Sequence, residues 1–240
     1  MISLKGKTVL IAGATGGMGS ELARALAREE AALVLIDKDE ARLAEFREEL
    51  QQSSQVAARI LAADLGKPLD AETLLALSDV ARDTDILVYA AGYILPAPVE
   101  QVSDADFEIQ FQVNFGSAFR LVRLLIPKLK EKKGQVVMIN SSIINYPKSD
   151  LSVYAASKHA LAGFTESLRQ ELNPYGVRVI SLVPGKTATK MQDDLARDTG
   201  ISNHPERMIQ PADIAATVIH ALKLPTTAEL TDLYIRPMQK

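Results

Sequence analysis

The chain has 240 residues, of which 47% are hydrophobic and 24% charged, with a formal net charge of −3. This composition suits a globular protein with a sizeable core, and without a basic block no nucleic-acid partner is expected. The absence of cysteine excludes disulfides and thiolate chemistry, and three histidines at 159, 204 and 220 are too scattered for a zinc site, so no metal is expected.

The N-terminus, MISLKGKTVLIAG, has no separate leader-like apolar region, and no apolar run reaches membrane-spanning length. A cytoplasmic, membrane-free protein is the expectation. Residues 8–12 (TVLIA) form a short apolar run followed at once by Gly13-Ala-Thr-Gly-Gly-Met-Gly19 and then by SELARALAREE, an amphipathic helix pattern. Residues 32–36 (ALVLI) read as a second buried strand closed by Asp37. A charged helix over about 39–52 leads to a third strand near 56–63, closed by Asp64, and a helix near 68–81 leads to a fourth strand at 86–90, before Ala91-Gly92.

Pro96 and Pro98 precede a long helix over about 104–130, whose start signal is Ser103 with acidic residues in the first turn. The run GQVVMINSS is a fifth strand, and a helix opening at Tyr154 continues to about Leu172, where Asn173-Pro174 breaks it. Residues 177–183 form a sixth strand, stopped by Pro184-Gly185; residues 186–210 are polar and read as irregular; Pro211 opens a helix; residues 230–235 are a last strand. Strands alternating with helices predict an α/β, doubly wound Rossmann fold: a seven-stranded parallel sheet with helices on both faces, in one domain.

Two groups of residues carry chemistry. The first is the glycine loop between strand and helix, where glycines permit a tight turn and let backbone N–H groups approach a pyrophosphate at a helix N-terminus. Asp37, at the end of strand two, suits an adenosine ribose or a helix cap; Asp64 is a weaker candidate for the adenine edge. The second group is Tyr154 and Lys158, four apart and so on one helix face. A nearby ammonium favours phenolate and tunes a tyrosine toward proton exchange, and a serine ending the preceding strand can donate to an oxygen in front of it.

With these motifs in order, the chain resembles the short-chain dehydrogenase/reductase family over essentially its whole length. The Gly13–Gly19 loop is similar to that family's T-G-x-x-x-G-x-G, with Ala12 in place of threonine, and L87-V-Y-A-A-G92 to its L-V-N-N-A-G. Val113-Asn114 resembles its helix asparagine motif, Asn140-Ser141-Ser142 its serine strand, Tyr154-Ala-Ala-Ser-Lys158 its Y-x-x-x-K, and Pro184-Gly185-x-x-x-Thr189 its P-G-x-x-x-T.

The resemblance implies that Tyr154 is the general acid/base, that Ser142 binds the substrate oxygen, that Lys158 holds the nicotinamide ribose and lowers the Tyr154 pKa, and that Asn114 positions a relay water. It further implies dinucleotide contacts from Gly13, Thr15, Gly16, Gly17, Met18, Gly19, Asp37, Asp64, Leu65, Ala91, Gly92, Pro184, Gly185, Thr187 and Thr189, as well as from Tyr154 and Lys158. Family spacing points to Ser141 as the catalytic serine, whereas strand alignment points to Ser142; Ser142 is preferred because deletions fall more readily in loops. Tyr89 and Ala90 replace both asparagines of N-N-A-G, which questions local hydrogen bonding more than catalysis.

The expected activity is that of an NAD-dependent alcohol dehydrogenase or carbonyl reductase acting on a small-molecule secondary alcohol or ketone. NAD is preferred over NADP because Asp37 would repel a 2′-phosphate, although Lys38 keeps NADP possible. The alternatives are a non-catalytic dinucleotide sensor or scaffold, and a nucleotide-sugar dehydratase or epimerase, for whose added domain this chain has no room. Residues 186–210 are expected to form a substrate lid, with Lys186, Lys190, Arg197 and Arg207 as candidate anion contacts or plain solvated surface. Surplus apolar residues on the helices at 104–130 and 154–172 predict a homotetramer or homodimer.

Overall fold

The computed structural model describes residues 1–80 and 82–239, the side chain of Val80 excepted. In chain order the elements are β1 (Thr8–Ala12), α1 (Gly17–Arg28), β2 (Ala32–Asp37), α2 (Glu40–Ser54), β3 (Ala58–Ala62), α3 (Ala71–Val80), β4 (Ile86–Tyr89) and α4 (Asp104–Phe111). A π-helical turn (Gln112–Gly116) joins α4 to α5 (Ser117–Lys132). Then follow β5 (Gln135–Ile139), α6 (Ser152–Leu172), β6 (Arg178–Pro184), α7 (Lys190–Thr199), α8 (Pro211–Leu222) and β7 (Asp232–Ile235).

The strands form one seven-stranded sheet in the order β3-β2-β1-β4-β5-β6-β7, every pairing parallel. Successive strand residues point to opposite faces, and both faces are covered. Val9, Ile11, Leu33, Leu35, Val137 and Leu182 pack against α1, α2 and α8; Leu10, Val34, Leu87, Val136 and Val179 pack against α5 and α6. Double coverage explains why the central strands read as unbroken apolar runs. Leu22 and Leu26 of α1 are fully buried; truncating either to alanine would cost about 2–5 kcal/mol.

The sheet order reverses between β1 and β4, which pair from Val9↔Ile86 to Ala12↔Tyr89. Their C-terminal ends are therefore level, and the glycine loop and Ala91-Gly92 leave the sheet side by side at its switch point, where open α/β sheets offer a crevice.

Several expectations change in detail. The long helix expected over 104–130 is three pieces, because the turn at Gln112–Gly116 is wound wider: the Ser117 N–H donates to Gln112 O, five residues back. The edge strands β3 and β7 are shorter than expected, and Ala81, expected to end α3, lies outside the described residues. The segment 186–210 is not wholly irregular, since it contains α7. This helix starts after Thr189, carries Asp193 in its first turn, and stops at Gly200, whose φ of +66° suits a glycine C-cap.

Candidate active site

The glycine loop is shaped by close approach. Gly13 has φ +80°, and a Cβ there would lie 2.6 Å from the Ala91 nitrogen, so the turn and its contact with the β4 loop both require glycine. At Gly17 a Cβ would lie 2.7 Å from Thr189 Cγ2. The loop before α7 thus packs directly on the start of α1. That helix begins at the Gly16 cap with no side-chain hydrogen bond and no acidic residue in its first turn. Its leading N–H groups and positive dipole end form a donor set suited to an anion. Met18, also in this loop, packs partly buried against the α1 side of the core.

Asp37 closes the crevice on the β2 side. Its Oδ2 accepts from the Thr15 N–H at 3.0 Å and the Thr15 hydroxyl at 2.7 Å, and its Oδ1 accepts from the Lys38 N–H at 2.8 Å. The Arg42 guanidinium donates to Thr15 O at 3.2 Å. Asp64 accepts from the Gly66 N–H at 2.9 Å, closing its own turn. Leu65 is buried, and its carbonyl accepts from the Ser117 hydroxyl at 2.8 Å.

Across the crevice, α6 carries Tyr154 and Lys158, both buried. The Lys158 ammonium donates to Ile139 O at 3.1 Å, tying α6 to the end of β5, and burial lowers its pKa to about 8. Burial raises the Tyr154 phenol, and hydrogen bonding with the Ser141 hydroxyl opposes that rise. The net direction is upward, opposite to the lowering by Lys158 expected from the sequence, because desolvation outweighs the favourable interaction. Ser141 is therefore the serine set against the phenol. Ser142, preferred from strand alignment, begins a 3₁₀ turn at Ser142–Ile144, while the Ser141 oxygen accepts from the Ile143 N–H at 3.3 Å. β5 ends at Ile139, the last residue of its apolar run, so both serines lie beyond the strand in which the alignment of the double serine sets them.

Asn114 lies in the π turn and is fully buried. Its Oδ1 accepts from the Tyr93 N–H at 2.9 Å, and its Nδ2 donates to Tyr93 O at 2.8 Å and to the Ser157 hydroxyl at 2.9 Å. Ser157 in turn donates to Tyr154 O at 2.8 Å. One helical turn earlier, the buried Gln110 accepts from the Leu95 N–H at 3.2 Å. Two amides four residues apart thus hold the loop after β4, one wall of the crevice. Neither Ser157 nor Gln110 is singled out by the sequence reading. The available signal is a polar residue on a helix face otherwise buried in the core.

A Cβ on Gly92 would lie 3.6 Å from Asn114 Oδ1, 3.7 Å from Met191 Cε and 3.8 Å from Lys158 Nζ. Four residues from four segments meet at this point, and Met191 brings the start of α7 to it. Ile94, Ile144 and Leu151 pack around Ile143, Tyr154 and Ala155, giving the phenol an apolar surround. Pro184 ends β6, and the Gly185 N–H donates to Ile235 O at 2.8 Å. Thr187 is buried and donates to Gly185 O at 3.1 Å; Thr189 points its hydroxyl toward Thr187 O at 3.4 Å. Of the candidate anion contacts, Lys190 and Arg197 both pair with Asp194, and Arg207 lies 3.9 Å from Glu206.

Among the described residues, no cluster of histidine and carboxylate side chains has a metal-binding arrangement, and no helix is long and apolar enough to cross a membrane. The short chain dehydrogenase family model matches residues 7–200. The chain is 32% identical to the ketoacyl reductase HetN of Nostoc over 236 residues, covering 95% of this chain and 79% of that one. It is 31% identical to serine 3-dehydrogenase of Agrobacterium fabrum over 241 residues, covering 97% and 94%. Its fold superposes on a short-chain dehydrogenase of Sphingobium yanoikuyae, solved in complex with NADPH, with a TM-score of 0.82, 26% identity and coverage of 95% and 87%. A match that spans most of the chain, together with a seven-stranded parallel sheet and a tyrosine–lysine pair at its C-terminal edge, means that the chain belongs to the short-chain dehydrogenase/reductase family of oxidoreductases.

Proposed function

We propose that this protein interconverts a secondary alcohol and its ketone, using NAD in preference to NADP, within one domain that carries both the cofactor cradle and the acid–base site. The observation that carries this reading is that Lys158 and Asn114 meet beside Gly92, just past the switch point of the sheet, while Ser141 is set against the Tyr154 phenol one helical turn before Lys158. The cradle fits a dinucleotide: an uncapped helix N-terminus for the pyrophosphate, Asp37 for the adenosine ribose, and Lys158, Thr187 and Thr189 toward the nicotinamide end. When bound there, the nicotinamide gives or takes the hydride.

The chain's own residues manage the proton and the geometry. Tyr154 passes the proton of the substrate oxygen, and its apolar surround keeps bulk water from competing. Ser141 holds that oxygen by its hydroxyl, so the role that the sequence reading gives Ser142 passes to its neighbour. The polar atoms of the Asn114 side chain are committed to Tyr93 and Ser157, so a relay water at this residue would be held by its main-chain carbonyl. Residues 186–210, with α7, act as the substrate lid, and Met191 and Ile94 favour a substrate with an apolar side.

The test is a screen of alcohols and carbonyls followed at the nicotinamide absorbance, repeated with Tyr154→Phe. Only the proton-exchanging hydroxyl is removed, so turnover should fall about 10²–10⁴-fold while dinucleotide binding is kept. Near-full turnover in the variant would refute the mechanism, and dinucleotide binding without turnover of any compound would favour a sensor or scaffold.

A further inference from the structure

Tyr89, the last residue of β4, stands where the resembling motif has an asparagine. It is fully buried, and its hydroxyl donates to the main-chain oxygen of Val113. Val113 lies inside the π turn and immediately precedes Asn114. A π turn is uncommon and persists where outside contacts compensate for its looser winding. Were this turn to tighten to an ordinary α-helix, the residues before it would rotate by about 100° relative to those after it. The Asn114 amide could not then reach Tyr93 and Ser157 together. Gln112 secures the flanks of the turn, donating to Lys67 O at 3.2 Å and to Ser117 at 3.0 Å, but Tyr89 is the contact from the sheet itself. Burial pushes the Tyr89 phenol well above its ordinary range, so the hydroxyl stays a donor across the working pH range.

We propose that Tyr89 is a positioning residue whose hydroxyl holds the π turn in the register that places Asn114 between Tyr93 and Ser157. A continuous path then runs from the sheet to the acid–base residue: Tyr89 to Val113, Asn114 to Ser157, and Ser157 to the carbonyl of Tyr154. The effect on turnover rests on the acid–base reading above; the effect on Asn114 does not.

The experiment compares Tyr89→Phe, Asn114→Ala and the double variant in the full chain, using whichever substrate the screen identifies. Tyr89→Phe keeps the ring and its packing. It should lower kcat about tenfold with substrate KM and NAD affinity within about twofold, and should add nothing to Asn114→Ala in the double variant. Independent, multiplying effects would overturn the proposal, as would wild-type kcat in Tyr89→Phe when Asn114→Ala is impaired. Amide hydrogen exchange gives a second reading without substrate: exchange at Tyr93 and across 112–117 should accelerate in Tyr89→Phe, and unchanged protection overturns the proposal. If Asn114→Ala keeps full turnover while exchange in Tyr89→Phe still accelerates, the positioning claim stands and the catalytic reading of Asn114 falls.

Discussion

Asn114 grips the backbone of Tyr93 with both ends of its amide, accepting from the N–H at 2.9 Å and donating to the carbonyl at 2.8 Å. The loop that walls the site is thereby fixed to the π turn as one strand is fixed to another. Replacing Asn114 by alanine leaves two backbone groups and the Ser157 hydroxyl short of a partner, at a cost of about 1–3 kcal/mol for each group that stays buried. Asn114→Ala should therefore lower the melting temperature and speed hydrogen exchange at Tyr93, and turnover should fall by at least about tenfold. Wild-type protection at Tyr93 would contradict the tether.

The adjacent serines should behave differently. Ser141 interacts with the Tyr154 phenol, whereas Ser142 opens a 3₁₀ turn. Loss of a donor to the substrate oxygen typically costs about 10²–10³-fold in kcat. Ser141→Ala should show that loss and Ser142→Ala should stay within a few-fold of wild type. The reverse ranking in steady-state kinetics would return the role to Ser142.

The parts legible in the sequence are those fixed by local pattern. β1, β2 and β4 are buried on both faces and so appear as apolar runs, and the glycine loop follows from its place between a strand and a helix. What the sequence hides depends on contacts between distant residues. The π turn is invisible in a helical pattern running through Phe107, Phe111 and Phe115, because its winding is tied to Tyr89, 24 residues before Val113. β5 stops with its apolar run at Ile139, but which hydroxyl of the serine pair meets Tyr154 depends on the turn that follows, which no apolar pattern records. α7 was obscured by its polarity: only Met191, Leu195 and Ala196 mark an apolar side in a segment dominated by aspartate, lysine and arginine.

Lys158 gives a pH prediction for stability. Its folded pKa is lowered from 10.5 to about 8 by burial. Between those values the unfolded chain binds more protons than the folded one, so this group makes stability rise with pH across that window. Below about pH 8 the burial penalty is present in full, and above about 10.5 it is relieved. Lys158→Met removes the ionisable group. The melting temperature of the variant, measured relative to wild type, should be highest at pH 7 and should decline as pH rises from 8 to 10. A constant difference across that range would show that the ammonium is not desolvated as the structure implies. NAD affinity should fall in the same variant.

Self-association is expected through the outer side of α4, α5 and α6. Phe107 and Phe119 remain 45% and 40% exposed, and Phe119 and Phe115 meet Phe164 edge-to-face at 6.0 and 5.7 Å. Covering such aromatic surface with a second copy removes an exposed apolar patch. Light scattering at micromolar concentration should give the mass of a homotetramer or homodimer, and Phe119→Glu should shift it toward monomer. A monomer mass for the unaltered chain ends this prediction.

Cofactor choice turns on Asp37. Thr15 donates to its Oδ2 twice, through N–H and hydroxyl, and Lys38 donates to its Oδ1 through the backbone. The carboxylate is therefore held in place at the end of β2, beside the first turn of the glycine loop. Oδ2 is occupied by Thr15, so a ribose hydroxyl must use the remaining lone pair of Oδ1 or compete with Thr15. The negative charge is fixed either way, and it opposes a 2′-phosphate at the same place. Two cations stand nearby: the Lys38 side chain, and Arg42, whose guanidinium donates to Thr15 O at 3.2 Å on the exposed side of the loop. Arg42 would have to leave that carbonyl to meet a phosphate, and exposed cations offset a fixed carboxylate only partly under physiological salt. The ratio of kcat/KM for NAD to that for NADP should therefore be at least about tenfold, equivalent to roughly 1.4 kcal/mol. Asp37→Ala should shrink the ratio and, because Thr15 loses its acceptor, weaken binding of both dinucleotides. Equal use of the two cofactors by the unaltered protein would overturn the preference and make Lys38 and Arg42 the phosphate ligands to test next.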